Sequence, residues 1–339
     1  MKNITKVGLS ALAGALAMTS AHAGDLSLSG SMEVTWTTGS GRQDTGNNFG
    51  QENEMDITAS TELDNGTGVA YKRSLTAAQA GSDSELVFTG LPFVGGSLAM
   101  TSTGSPISAI DDVTPTAFEE ANAQVGSVDD VNGMDGTFGI RYTLADVAGS
   151  GITFDAMYTP VHGAGDAAAD QSTATAHGND TGTEVVLKGA VPFVEGLDFG
   201  VGYALLESQD ATDSASSVSE GSIDQDEGTA YLKYAYGPLS VGVQKGAVSL
   251  GQTGTTYVTD ILGVAYSVTD DLSVSYNMME SARTATDGLR TEQEFDSISI
   301  GYTMGGMSLK IADADCSKCS YTHTGRNQDE TTVSLSVAF

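Results

Sequence analysis

A pair of closely spaced cysteines is the most reactive feature of this sequence. Cys316 and Cys319 form a C-x-x-C, with Asp315 and His323 nearby. In an oxidising compartment, two cysteines this close usually form a small disulfide that stiffens a loop. The alternative is a metal site that also uses Asp315 and His323, but a single C-x-x-C lacks the second ligand pair of a structural zinc site. We therefore predict a disulfide, no metal centre and no cofactor.

Carboxylates dominate the segment 104–133, which contains no Lys or Arg. Its acidic residues include Asp111, Asp112, Glu119, Glu120, Asp129 and Asp130. A charge run of this kind is most often a solvated loop. It can also set up a negative field that raises the local concentration of cations. Composition alone leaves both interpretations open.

Basic residues occur at alternating positions of predicted strands. On polar faces these are Lys72, Arg141, Lys188 and Lys233, while Arg73 lies near a strand end, where alternation does not decide its face. An enzyme would need a nucleophile or base with a positioned partner. Beyond residue 23 the chain has three histidines, and none has a Ser or Asp partner at motif spacing. We therefore do not expect an enzyme.

The N-terminus has the organisation of an export signal. Lys2 and Lys6 precede an apolar run from Gly8 to Met18, which is too short to span a bilayer as a helix. Ala21-His22-Ala23 is an A-x-A cleavage site. We predict that residues 1–23 are a cleaved signal peptide and that the mature chain, 24–339, is one domain.

Composition narrows the class of the mature chain. It has 12 basic and 44 acidic residues, a net charge of −32, which excludes nucleic acid as a natural partner because phosphates would be repelled. The whole sequence has 42 glycines and 6 prolines, and long helical periodicity is absent. Apolar residues instead alternate with polar ones over much of the chain. This combination predicts an all-β protein with many turns.

Sixteen strands are predicted from the alternation. They are 25–37, 51–64, 68–79, 83–91, 96–103, 134–144, 151–160, 181–191, 196–208, 225–236, 238–249, 254–267, 271–280, 292–303, 305–313 and 328–339. A β-sandwich would also alternate. However, the polar faces carry charges such as Glu54, Asp56 and Lys310, which need water. Short and long connections also take turns along most of the chain. Both observations favour an antiparallel up-and-down barrel with a water-filled lumen and long outer loops.

The layout resembles the general porins of the alphaproteobacterial, Rhodobacter-like type. The resemblance is carried by the signal peptide, the opening strand Leu26–Gly30, the strand number, the longest loop after strand five and the alternating strand 330–339 that ends on Phe339. It implies a homotrimeric outer-membrane channel for small hydrophilic solutes, in contact with lipid and lipopolysaccharide. It also implies that the barrel assembly machinery reads the last strand, and that the 104–133 loop folds into the barrel and constricts it.

Selectivity follows from this resemblance and from charge. Some acids of the 104–133 loop would line the constriction, opposite the basic residues of the wall, and we expect a cation-preferring pore whose preference weakens with salt. A substrate-specific channel of the same fold is the closest alternative, and a secreted acidic β-rich adhesin or surface-layer protein is a more distant one. Weak Ca²⁺ binding at acidic loops, including Asp224, Asp226, Asp313 and Asp315, is a further hypothesis.

Overall fold

Sixteen antiparallel strands form a closed barrel in the computed structural model. The structure describes residues 24–40, 48–76, 83–92, 95–118, 131–162, 179–208, 224–251, 253–321 and 327–339, so the predicted signal peptide lies outside it. The strands are β1 (Asp25–Ser40), β2 (Phe49–Glu62), β3 (Gly68–Thr76), β4 (Asp83–Thr89), β5 (Ser97–Thr101), β6 (Gly139–Leu144), β7 (Ile152–Thr159), β8 (Asn179–Ala190), β9 (Leu197–Ser208), β10 (Gln225–Tyr236), β11 (Leu239–Leu250), β12 (Thr255–Ser267), β13 (Leu272–Thr284), β14 (Arg290–Met304), β15 (Met307–Ser317) and β16 (Gln328–Ala338). Each strand pairs with its neighbours in the sequence, and β1 closes on β16. The predicted fold and strand number are confirmed.

Within the described ranges, no helix is long and apolar enough to cross a membrane.

The two faces of the wall reverse the arrangement of a soluble protein. Large apolar side chains are exposed on the outside, among them Ile298 at 60% and Leu232 at 49%. Inward-facing positions instead carry buried Ser, Thr and Gln, such as Ser299, Thr259 and Gln244. Polar groups that face inward and apolar groups that face outward are stable only where lipid surrounds the barrel and water fills it.

The connections place short turns at one end of the barrel and most of the longer loops at the other. Two of the short turns are two-residue hairpins, in which Gly237 (φ +56°) and Gly305 (φ +61°) hold the first loop position. A positive φ at this position is what a primed hairpin turn needs, and glycine adopts it without a Cβ penalty. We name these two ends the short-turn end and the long-loop end.

Outward-facing carboxylates mark the edge of the apolar outer surface on the side of the long-loop end. Asp260, Glu280 and Glu294 are successive register partners on β12, β13 and β14, toward the long-loop end. The Asp260 carboxylate contacts the Lys245 ammonium of β11 at 2.7 Å, also on the outer face. Because charged groups on a lipid-facing strand are costly in hydrocarbon, the hydrocarbon layer must end below this row.

Most strand boundaries lie within three residues of the prediction; three differ by more, one of them the end of β13, which is Thr284 instead of 280. The sixth strand was expected from residue 134 but begins at Gly139, because a turn closed by Thr137 N–H donating to Met134 C=O (3.0 Å) buries the Met134 side chain. The fifteenth strand continues to Ser317 instead of ending at 313, since its acidic end still pairs with β16.

Candidate functional site

The segment between β5 and β6, residues 102–138, is called here the inner loop because its described parts lie inside the barrel. Its described parts, 102–118 and 131–138, contact inward-facing residues of successive strands from β8 to β15. At its β15 end, Phe118 is 1% exposed and packs on Ala312, with the Lys310 ammonium 5.3 Å from its ring centroid. The loop therefore lines about half of the inner wall.

Glycines of the wall form the surface on which the inner loop rests. A Cβ added to Gly202 would lie 2.9 Å from Ile110 Cδ1, and one on Gly263 would lie 2.7 Å from the Pro115 carbonyl oxygen. The same close approach occurs at Gly182, Gly242 and Gly301. Since real Cβ atoms do not come this close to non-bonded atoms, any side chain at these positions would displace the loop. The absence of side chains along this path fixes the depth of the loop in the wall.

Glu184 of β8 anchors both branches of the inner loop. Its carboxylate accepts hydrogen bonds from Ser105 Oγ (2.9 and 2.8 Å), from the Ile107 N–H (3.3 Å) and from the Met134 N–H. Glu227 of β10 similarly accepts from the Gly133 N–H at 2.7 Å. Backbone N–H groups of an irregular segment need partners when buried, and these two wall carboxylates supply them.

Gln244 of β11 holds the middle of the inner loop together with Asp111. Its side-chain amide accepts from the Val113 N–H (3.0 Å) and donates to the Ile110 carbonyl (3.3 Å) and to Asp111 Oδ1 (2.5 Å). The other Asp111 oxygen accepts from the Val131 N–H at 3.1 Å. Asp111 thus ties the two branches to each other and to the wall, and does not project into the pore.

Burial changes the protonation of Asp111. Loss of hydration, with a smaller contribution from the neighbouring Asp112 carboxylate, raises the pKa of Asp111 to about 6. Asp112 itself is exposed and has a left-handed backbone (φ +49°). The other four predicted constriction acids, Glu119, Glu120, Asp129 and Asp130, lie outside the described residues.

The predicted basic residues do not behave as one set. Lys72, Arg141, Lys188 and Lys233 are on inward-facing positions, as expected. Arg73 is paired in register with Ile57 and is adjacent to Lys72, which places it on the outer face. Its assignment to the pore wall is therefore wrong, because the strand continues to Thr76 and alternation still applies at this position.

Carboxylates of the wall itself contact three of the inward-facing basic residues. The Lys72 ammonium lies 3.0 Å from Asp56, the Lys188 ammonium lies 3.2 Å from Asp155, and Arg141 is paired with Glu85. Arg141 also donates to the Gly104 carbonyl of the inner loop at 2.7 Å. The expectation that these residues oppose the loop acids across the pore has to be corrected, since their charges are largely balanced where they stand.

Cys316 and Cys319 are joined by a disulfide, with their Cα atoms 5.7 Å apart. Asp315 is on the outer face of β15, and His323 lies outside the described residues. Among the residues that the structure describes, no three His, Cys, Asp or Glu side chains come together as a metal site. Weak Ca²⁺ binding at the acidic loops stays a prediction.

Glu184, Glu227 and Gln244 were not selected from the sequence, although they organise the inner loop. Alternation places all three on polar faces, but it places many Ser and Thr residues there as well, so it does not single these three out. The glycine positions carried a clearer signal, because Gly182, Gly202 and Gly263 share the inward parity of their strands. A polar face interrupted by glycines indicates that another part of the chain rests on it.

A large antiparallel barrel with an apolar outside, a polar inside and a loop seated on the inner wall defines a channel-forming protein of the outer membrane. The sequence profile of the Gram-negative porin family matches residues 8–339, so this chain belongs to that family. It is accordingly a porin of the Gram-negative outer membrane, with a channel and not a catalytic site. Among curated protein sequences, none matches this chain at a significant level.

Solved structures of two porins and of another outer membrane protein share the fold at low sequence identity. An anion-selective porin from Comamonas acidovorans has a TM-score of 0.65 at 12% identity, covering 93% of this chain and 99% of the other. A mutant of the Rh. blastica porin has a TM-score of 0.58 at 15% identity, covering 93% and 100%. The trimer form of OmpT, an outer membrane protein of Vibrio cholerae, has a TM-score of 0.58 at 11% identity, covering 94% and 100%. At these identities, the similarity supports the fold alone.

Proposed function

We propose that this porin is a general diffusion channel that prefers cations. The main support comes from β1 and β2, in the half of the inner wall that the described inner loop does not contact. There, β1 and β2 carry four inward-facing carboxylates: Glu33, Glu52, Glu54 and Asp56. Inward-facing carboxylates in a water-filled lumen attract cations and repel anions.

Local pairing strengthens this argument. Lys72, the inward-facing basic residue of β3, is already engaged by Asp56 at 3.0 Å, so it offsets little of the charge of Glu33, Glu52 and Glu54. The lumen is therefore bounded by an acidic wall on one side and, on the other, by a loop whose described ionisable residues, Asp111, Asp112 and Asp135, are all carboxylates. Both sides of the passage favour cations.

The fold does not determine the sign of the selectivity. The Comamonas acidovorans relative is described as anion-selective, although it shares the barrel. Selectivity must then depend on which charged side chains face the lumen. This is why the proposal rests on the parity of β1 and β2 and on the net charge, and not on the structural similarity.

We further propose that the chain works as a homotrimer. One structural relative is described as a trimer form. The outer face of β1 is apolar, with Leu26 at 74% and Leu28 at 65% exposure, so this side of one barrel has surface to bury against another barrel or lipid. The molar mass of the detergent complex, corrected for bound detergent, distinguishes a trimer from a monomer.

Reversal potentials test the cation preference. In a planar bilayer with a KCl gradient, the wild type should show a K⁺ preference that decreases as the salt concentration rises. The reason is screening, since the Debye length is already about 8 Å at 0.15 M salt. The double substitution Glu52→Gln and Glu54→Gln should reduce this preference. The double substitution Glu280→Gln and Glu294→Gln removes two charges from the outer face and is the matched control. Anion preference in the wild type, or equal effects of both variants, would contradict the proposal.

Liposome swelling separates a general pore from a substrate-specific channel. For a general pore, the permeation rate of neutral sugars should fall smoothly with their size. Saturable uptake of a single solute would instead favour a specific channel.

A further inference from the structure

The turn that carries the disulfide, Cys316–Tyr321, packs against the inner wall of the barrel through Cys319 and Tyr321. Cys319 has no exposed surface, and it packs with Ile261, Met279 and Phe295. These three residues are successive register partners on β12, β13 and β14, and Cys316 of β15 continues the row. The turn therefore covers an apolar row on the inner wall, toward the long-loop end.

Tyr321 continues this contact toward the inner loop. Its hydroxyl lies 2.8 Å from the buried Ser281 Oγ of β13, and its ring meets the Tyr257 ring edge-on at a centroid distance of 5.3 Å. Tyr257 and Tyr321 belong to the same packed cluster as Ile107 and Val131 of the inner loop. The two inserted segments are therefore joined through one apolar cluster.

The presence of apolar side chains on this wall needs an explanation. The lumen is water-filled, and exposed apolar surface there costs about 25 cal/mol per Å². Ile261, Met279 and Phe295 are each buried to between 5% and 6% relative exposure. Cys319 of the disulfide turn packs on these residues and so contributes to keeping this apolar row out of water.

The backbone of the turn also needs to be held. Lys318, Ser320 and Tyr321 all have positive φ, at 56°, 56° and 52°. For non-glycine residues this conformation costs roughly 1–2 kcal/mol each. Three such residues within four positions persist because the Cys316–Cys319 bond closes the turn and because Tyr321 is buried.

We propose that the Cys316–Tyr321 turn is a second size-selecting element of the channel, between the long-loop end and the inner loop, and that the disulfide keeps it in the lumen. The inference rests on the chain acting as a diffusion channel. The turn presents bulk to the passage, whereas the carboxylates of β1 and β2 present charge. It therefore limits the size of the solutes that pass and leaves their preferred charge unchanged.

Chemical reduction tests this on the folded protein. A trialkylphosphine breaks the S–S bond to give two thiols and is itself oxidised to the phosphine oxide with oxygen from water. Added to the wild-type channel in a bilayer, it should shift the conductance to a higher value. The same treatment of proteoliposomes should shift the swelling cut-off to larger sugars, with no shift of the reversal potential. Maleimide labelling reports the thiols formed, and gel migration without heating reports that the barrel remains folded.

A double variant provides the control. Cys316→Ser with Cys319→Ser should have the higher conductance from the start and should not respond to phosphine. If thiols form, or the double variant folds, and both conductance and size cut-off remain those of the oxidised wild type, the proposal is wrong. A changed reversal potential at constant cut-off also contradicts it. None of these outcomes decides the cation preference. That preference is tested separately, by comparing the oxidised wild type with the variant in which Glu52 and Glu54 are substituted.

Discussion

Asp111 shows how the position of a single carboxylate changes its role in the channel. The sequence placed it among six candidate pore acids, but its side chain is turned to the wall, where Gln244 and Thr229 donate to it. A carboxylate held this way contributes to the field only while it is ionised. Its pKa, raised to about 6 by burial, brings that ionisation into an accessible range of pH.

The selectivity of the channel should therefore respond to pH through Asp111. Below pH 6 the residue takes up a proton, and the cation preference should fall by a step that Asp111→Asn abolishes. The folded pKa lies above the value of about 4 for an unfolded chain, so the folded state binds the additional proton. The free energy of unfolding should therefore increase as pH falls from 7 toward 5. This contribution of Asp111 is lost when pH rises through 6.

Reversal potentials and thermal midpoints between pH 7.5 and pH 5 measure both effects. Asp112→Asn is the matched control, because Asp112 is exposed in the same loop; its removal should keep the step but move it to lower pH, since its charge makes the smaller contribution to the raised pKa of Asp111. A step near pH 6 that persists in Asp111→Asn would show that another group titrates.

Among the structural elements, the inner loop is positioned by what the strands lack. The chain makes a seat by placing glycine at inward positions of β8, β9, β11, β12 and β14. Hydrogen bonds from Asn277 Nδ2 to the Pro115 carbonyl (3.1 Å) and from the Ala117 N–H to Ser275 Oγ (2.9 Å) then fix the loop along this path. Close packing on backbone leaves no freedom for the loop to move toward the wall.

Filling the seat should push the inner loop into the passage. In Gly263→Ala the new methyl group would meet the Pro115 oxygen at 2.7 Å and Thr114 Cβ at 2.8 Å. Overpacking of this kind costs about 1–3 kcal/mol. We expect a lower thermal midpoint and a lower single-channel conductance.

Gly228→Ala makes the same chemical change where there is space. Its added methyl group would have its nearest contact at 3.6 Å, from the Gly202 carbonyl oxygen, so stability and conductance should stay at wild-type values. Equal behaviour of the two variants would mean that the loop does not rest on Gly263.

The strands could be predicted from the sequence wherever apolar and polar residues alternate with a two-residue period. Apolar faces such as that of β9, with Phe199 and Val201 facing outward, are visible in the sequence and gave the strand number. Two features were not predictable from this period: the turn that contains Met134, and the extension of β15 beyond residue 313. A buried turn and a charged strand end both break the alternation that strands normally show. The loop seat could not be predicted, since glycine alone does not say which segment approaches it.

At the scale of the whole molecule, closure of the barrel is what removes every unpaired strand edge. An open edge in lipid would expose backbone N–H and C=O groups that nothing else could satisfy. Beyond the β1–β16 register, Phe339 adds two more hydrogen bonds to this closure. The Phe339 N–H donates to the Gly30 carbonyl and the Gly30 N–H donates to the Phe339 carbonyl, both at 2.9 Å.

Deleting Phe339 should therefore weaken the closed barrel, and replacing its side chain should not do so to the same extent. The deletion removes both backbone hydrogen bonds between Phe339 and Gly30 and takes away a ring that is 76% exposed on the outside. Phe339→Ala keeps both backbone hydrogen bonds and loses only the ring. At about 0.5–1.5 kcal/mol for each net hydrogen bond, unfolding from detergent should separate the two variants by about 1–3 kcal/mol.

Folding in cells distinguishes closure from recognition by the assembly machinery. If the machinery reads the aromatic end, Phe339→Ala should reach the outer membrane poorly although the purified protein refolds and unfolds nearly as the wild type does. The deletion should fail in both settings. Normal assembly of Phe339→Ala in cells would mean that the backbone of β16, and not the terminal ring, is what the last strand contributes. Equal unfolding free energies for the deletion and the wild type would show that the Gly30–Phe339 pair does not stabilise the closure.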